Sequence, residues 1–173
     1  MNSGAPDALQ RLWTPYRMAY IAGERAEDRH VPKGCPFCAM RDPRDGDLVV
    51  HRGRSVFAVL NLHPYNPGHL MVLPYRHIGE LEELTPAEAA ELHEVTTHAV
   101  VTLKSISSPH GFNIGLNLGS AAGGSLSSHL HQHVVPRWTG DANFITVIGR
   151  TKTLPQLLED TAALLVEAWE RQA

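Results

Sequence analysis

Residues 129–135 read His-Leu-His-Gln-His-Val-Val, and this spacing of three imidazoles constrains the chain more than any other segment. Side chains alternate across a β-strand. In a strand predicted over residues 129–136, His129, His131 and His133 therefore share one face, while Leu130, Gln132 and Val134 share the other. Three imidazoles on one face make a poor core, because each has two ring nitrogens to satisfy. Just before them lies a glycine-bearing loop over residues 119–125. Gly123 and Gly124 can turn successive backbone N–H groups toward one point, and the Ser125 hydroxyl adds a donor. Such a nest binds phosphate oxygens. A neutral imidazole attacks phosphorus through one nitrogen when the proton on the other is held by an acceptor. His131, flanked on both sides, is the natural nucleophile. His129 and His133 can orient it, hold phosphate oxygens or handle a proton for a leaving group.

The rest of the chain supplies a scaffold for that strand. Residues 55–61 and 69–73 are rich in strand formers and joined by a Pro- and Gly-bearing connection, which predicts an antiparallel pair. Thr85-Pro86-Ala-Glu88 predicts a helix start, with Thr as N-cap, Pro in the first turn and Glu closing a capping box. Apolar residues from Leu92 to Leu103 then recur at helical spacing, so the helix runs to about Lys104. Residues 112–118 form a further strand, and Thr153-Leu-Pro-Gln156 predicts a second capping box opening a C-terminal helix. Hairpin strands with helices between and after them read as α+β with an antiparallel sheet. At 173 residues the chain fits one domain, read as a disordered lead over 1–10 and a single folded unit over 11–173. An aromatic-rich patch from Leu12 to Ile21 suits a core edge or subunit contact.

A net charge of −3 argues against binding along a nucleic-acid backbone. No basic segment followed by an apolar stretch marks a secretory signal, and no apolar run approaches a membrane span, so a cytoplasmic location without a membrane partner is expected. The two cysteines, Cys35 and Cys38, stand in Cys-Pro-Phe-Cys, too close to form a disulfide scaffold. A metal site, a redox motif and two small buried hydrophobes all remain open. The redox reading is weakened because the pair sits in a Pro-containing turn rather than at a strand-to-helix junction.

Several segments together resemble the histidine triad (HIT) family, in a bacterial branch that includes diadenosine tetraphosphate phosphorylases and hydrolases. His129-Leu-His131-Gln-His133-Val-Val is similar to the family signature. The run from Asn61 to Pro74 resembles its nucleoside-binding hairpin, and Asn117-Leu-Gly119 with Gly123-Gly124-Ser125 resembles its phosphate loop. The resemblance implies a five-stranded antiparallel sheet with two main helices, and a homodimer that joins two sheets into one layer. It implies that His131 attacks the α-phosphorus of an adenine nucleotide and carries AMP as a phosphoramidate. His133 and His69 would line the phosphate site, Asn117 and Ser125 would hold phosphate or ribose oxygens, and Asn61 would bind the ribose. Side chains near Phe57 and Leu60 would pack around the adenine. By the same resemblance His77 and His129 join Cys35 and Cys38 around a structural zinc ion, and no organic cofactor is expected.

Three departures bear on the second substrate. Gln132 stands between the last two histidines, one extra residue separates the loop from His129, and Gly124 occupies a position where the hydrolase branches commonly carry Gln. A loop with little side chain leaves room near the leaving group, so inorganic phosphate is favoured over water as acceptor. Hydrolysis of adenosine phosphoramidates is the alternative reaction. A purine-nucleotide-binding module with little turnover is the alternative class, although binding alone needs no nucleophile. A zinc hydrolase with metal directly on the triad ranks last, because no acidic residue lies beside the triad.

Overall fold

The computed structural model describes residues 34–44, 47–124, 126–142, 144–149 and 153–172. The expected N-terminal lead, the aromatic patch from Leu12 and Ser125 lie outside these. The described chain forms five antiparallel strands: β1 (Val49–Arg52), β2 (Val56–Leu60), β3 (Leu70–Pro74), β4 (Gly111–Leu116) and β5 (Gln132–Arg137). Their order across the sheet is β1-β2-β3-β5-β4. Helix α1 (Pro86–Ser107) connects β3 to β4, and α2 (Phe144–Ile148) and α3 (Leu158–Glu170) follow β5.

Helix α1 begins where its local chemistry places it. Thr85 accepts a hydrogen bond from the Glu88 N–H, and the Glu88 carboxylate returns one from the Thr85 N–H. Arg76 grips both oxygens of that carboxylate at 2.7 Å. The second expected capping box does not form. Helix α3 starts at Leu158, without a side-chain cap. Thr153 as N-cap would require Leu154 to be helical, and the ring of Pro155 disfavours that conformation in the residue before it. At Thr85 the residue before proline is the N-cap itself, which is already extended.

Helices α1 and α3 cover one face of the sheet. Ala58, Leu60, Leu70, Val72 and Val134 pack there against Leu92, Val95, Ala99 and Leu103 of α1 and Leu165 and Trp169 of α3. Each fully buried leucine contributes roughly 1.5–3 kcal/mol by leaving water. Trp169 is sandwiched between His51 of β1 (ring centroids 4.9 Å) and His98 of α1 (4.5 Å), so these two histidines pack on its ring. On the opposite face Phe57, Val59, Met71 and Leu73 pack with Phe37. The register pairs Met71 with His133, which puts His133 on this second face.

Strand β5 begins three residues later than expected. The Leu130 N–H donates to the Ile78 carbonyl, and the His129 carbonyl faces the His131 ring, so residues 129–131 approach the sheet without joining its ladder. Among the described residues no helix is long and apolar enough to cross a membrane.

Candidate active site

The end of β5, the β2–β3 connection and the turn at residues 35–40 converge on the second face. His131 is 7% exposed, and its Nδ1 lies 2.7 Å from the carbonyl oxygen of His129. A carbonyl only accepts, so Nδ1 carries the proton and Nε2 keeps a free lone pair. The Phe37 ring packs on this imidazole at 5.2 Å, and the His133 ring meets it nearly edge-on at 5.0 Å.

A second chain of contacts sets the protons of His69 and His133. The Tyr65 backbone N–H donates to His69 Nδ1 at 3.1 Å, which makes that nitrogen an acceptor. His69 Nε2 therefore bears hydrogen and donates to His133 Nδ1 at 2.9 Å. The remaining proton of His133 then sits on Nε2; the Asn117 side-chain nitrogen, 3.5 Å away, is a donor as well, so this approach is not a hydrogen bond in that tautomer. Both rings are neutral in this arrangement. Burial, reinforced by the neighbouring imidazoles, pushes His69 down to about 3 and His133 down to about 4.

Around these rings the expected residues divide. The Asn61 side chain lies 3.4 Å from His69 Nδ1 and accepts from the His63 N–H. Gly119 and Gly123 hold positive φ angles of 71° and 87° on either side of a single turn at Ser120–Ala122. A Cβ at Gly124 would come within 3.3 Å of the Asn117 Cβ. Phe57 and Leu60 do not flank a common pocket. Phe57 is fully buried on the histidine face and stacks on Tyr75, whereas Leu60 belongs to the core beneath α1. Residues three apart in one strand point to opposite faces, so the two cannot enclose one base. Gln132 turns away as expected and donates to Thr96 of α1 at 2.8 Å. Arg137 is engaged by Asp141 and Asn113.

A cluster of metal-ligating side chains adjoins the nucleophile. Cys35 Sγ lies 3.3 Å from His129 Nδ1, and Cys38 Sγ lies 3.3 Å from His77 Nδ1 and 3.6 Å from His129 Nδ1. All four donor atoms fall within 4.8 Å of one another. His129 donates through Nε2 to the Pro74 carbonyl at 2.9 Å, which leaves its Nδ1 lone pair facing the sulfurs. Two thiolates and two imidazoles at these separations fit a tetrahedral ion, so the cluster could hold a metal. Phe37, between the cysteines, touches both His129 and His131, a role that its position in Cys-Pro-Phe-Cys did not signal.

Residues 44–140 match the family described as the HIT domain. The chain belongs to the HIT domain family. An AP-4-A phosphorylase of Mycobacterium tuberculosis is 57% identical over 173 residues, covering 98% of this chain and 89% of that protein. A bis(5'-nucleosyl)-tetraphosphatase (asymmetrical) of Schizosaccharomyces pombe is 33% identical over 96 residues, 56% of this chain and 52% of that one. Among solved structures, a Zn-bound histidine triad family protein from Mycobacterium smegmatis superposes with a TM-score of 0.65 at 26% identity, over 80% of this chain and 95% of that one. These likenesses fit the sheet and helices described for this HIT domain.

Proposed function

We propose that this protein transfers the adenylyl group of a dinucleoside polyphosphate, with diadenosine tetraphosphate as substrate and inorganic phosphate as acceptor. The observation that carries the reading is the His131 ring, held by the His129 carbonyl with its Nε2 lone pair free and met nearly edge-on by the His133 ring at 5.0 Å. His131 Nε2 attacks the α-phosphorus, the bond from phosphorus to the bridging oxygen breaks, and its electrons leave with ATP. An oxygen of inorganic phosphate then attacks the same phosphorus, releases His131 and gives ADP. No organic cofactor enters this scheme. The 57% identity to a protein named AP-4-A phosphorylase supports the substrate and the acceptor.

The neutral His69–His133 pair favours this reaction over phosphoramidate hydrolysis. A polyphosphate leaves as a stable anion and needs only a hydrogen bond, which His133 Nε2–H can supply. An amine leaving group needs a proton, and an imidazole held down to about 4 is a poor source of one at neutral pH. Asn61 is assigned to the ribose, and Asn117, Gly123, Gly124 and Ser125 to phosphate oxygens. Cys35, Cys38, His77 and His129 are assigned to zinc, which braces the approach to β5 when bound. A homodimer through β4 would extend the sheet. That strand pairs only with β5 among the described residues, and its Ile114 is 49% exposed.

Product analysis on diadenosine tetraphosphate with and without phosphate tests the reading. ATP plus ADP, formed only with phosphate, is expected. ATP plus AMP regardless of phosphate would make water the acceptor.

A further inference from the structure

The connection from Asn61 to Gly68 buries its polar anchors and exposes an aromatic ring. Asn66 is 1% exposed and donates to the Pro136 carbonyl and to Asp141, at 2.7 and 2.8 Å. His69 is fully buried. Tyr65, between these anchors, leaves 55% of its surface exposed. It is not loosely held: its own N–H is bound to His69 Nδ1. Its ring lies over the His69–His133 pair, with centroids 4.7 Å and 5.9 Å away and planes tilted by 32° and 30°.

The two aromatic rings of the site therefore attend different histidines. Phe37 packs on the nucleophile, His131, and is 8% exposed. Tyr65 packs on the pair that ends at His133 Nε2, the atom facing the leaving oxygen in the proposed reaction. A ring fixed by its main chain, backed by two imidazoles and open on its remaining surface loses little entropy when a flat partner settles on it. Such rings stack on nucleobases without regard to base identity. We propose that Tyr65 is a specificity residue of the leaving side, where its ring stacks on the base of the departing nucleotide. The assignment rests on the adenylyl-transfer reading and deepens it. It predicts a preference for leaving groups that carry a nucleoside over bare polyphosphate.

The test compares diadenosine tetraphosphate with adenosine 5'-tetraphosphate, which has the same phosphate chain and no second base. Tyr65→Leu should raise KM for the dinucleotide by roughly 5- to 150-fold, the range for losing one stacked base. Its kcat, and both constants for adenosine tetraphosphate, should change little. Tyr65→Phe and Tyr65→Trp should keep the preference of the parent protein. Equal losses on the two substrates would overturn the assignment and make the ring a packing element for the histidines. A loss in Tyr65→Phe as large as in Tyr65→Leu would overturn it in favour of the hydroxyl. A parent protein that turns over neither substrate would instead remove the adenylyl-transfer reading, and this assignment with it.

Discussion

The Nδ1 of His131 and the main-chain carbonyl oxygen of His129 lie 2.7 Å apart, two residues from each other along the chain. That one contact sets the tautomer of the nucleophile. It also ties the nucleophile to the metal-ligating cluster, because the residue whose carbonyl holds His131 points its own ring at Cys35 and Cys38.

His69, expected to line the phosphate site, is fully buried and acts through His133 as a positioning residue. His69→Leu removes the donor to His133 Nδ1, so His133 is free to place its proton there and lose the one at Nε2. Turnover is expected to fall roughly 100-fold. Nitrogen NMR should show His133 shifting from the Nε2–H tautomer to a mixture, and His69→Gln, which retains an N–H donor, should recover part of both signals. An unchanged tautomer in His69→Leu would contradict the relay.

The same pair predicts a pH response. In the unfolded chain both imidazoles titrate near 6.5, whereas burial in the folded protein lowers them to about 3 and about 4. As pH falls below that unfolded value, the unfolded state takes up protons first. The stability tied to these rings is therefore complete above about 6.5 and declines as pH falls toward the folded values. Imidazole NMR should find neither ring titrating between about pH 8 and about pH 5. A His133 midpoint near its ordinary value would contradict the neutral pair.

Zinc is expected in one equivalent per chain. Its removal by a chelator, or the substitution Cys35→Ser, should lower the Tm by about 2–4 °C for each kcal/mol lost in a chain of this size. Elemental analysis together with calorimetry measures both quantities. Metal-free protein with an unchanged Tm would remove the zinc assignment.

Gly124 controls the space beside Asn117. In Gly124→Gln the new Cβ would crowd Asn117 at 3.3 Å and move its amide away from His133. The ratio of ADP to AMP released from diadenosine tetraphosphate should fall as the phosphate site is disturbed. An unchanged ratio would show that the small loop residue does not select the acceptor.

What could be read from the sequence was local. The histidine spacing, the Thr85–Glu88 cap and the Pro- and Gly-bounded strands each carry their cause within a few residues. Strand β1 was missed because it is four residues long, lies at the sheet edge and buries only Val50. The packing of His51 and His98 on Trp169 joins three elements that no short pattern links. Leu60, which the family resemblance sets beside the adenine, stands three residues from Phe57 and so faces the core beneath α1 instead. The start of β5 depended on Ile78, a partner far along the chain. The four metal-ligating residues were brought together by family resemblance, and the structure places their donor atoms within reach of one ion.

In the proposed reaction His131 carries the adenylyl group. Protein mixed with diadenosine tetraphosphate without phosphate, quenched in base and digested, should yield one adenylylated peptide with the modification on His131. The adduct should disappear when phosphate is added before the quench, and His131→Asn should form none and lose nearly all turnover. Full turnover without an adduct, or an adduct on another residue, would contradict the account.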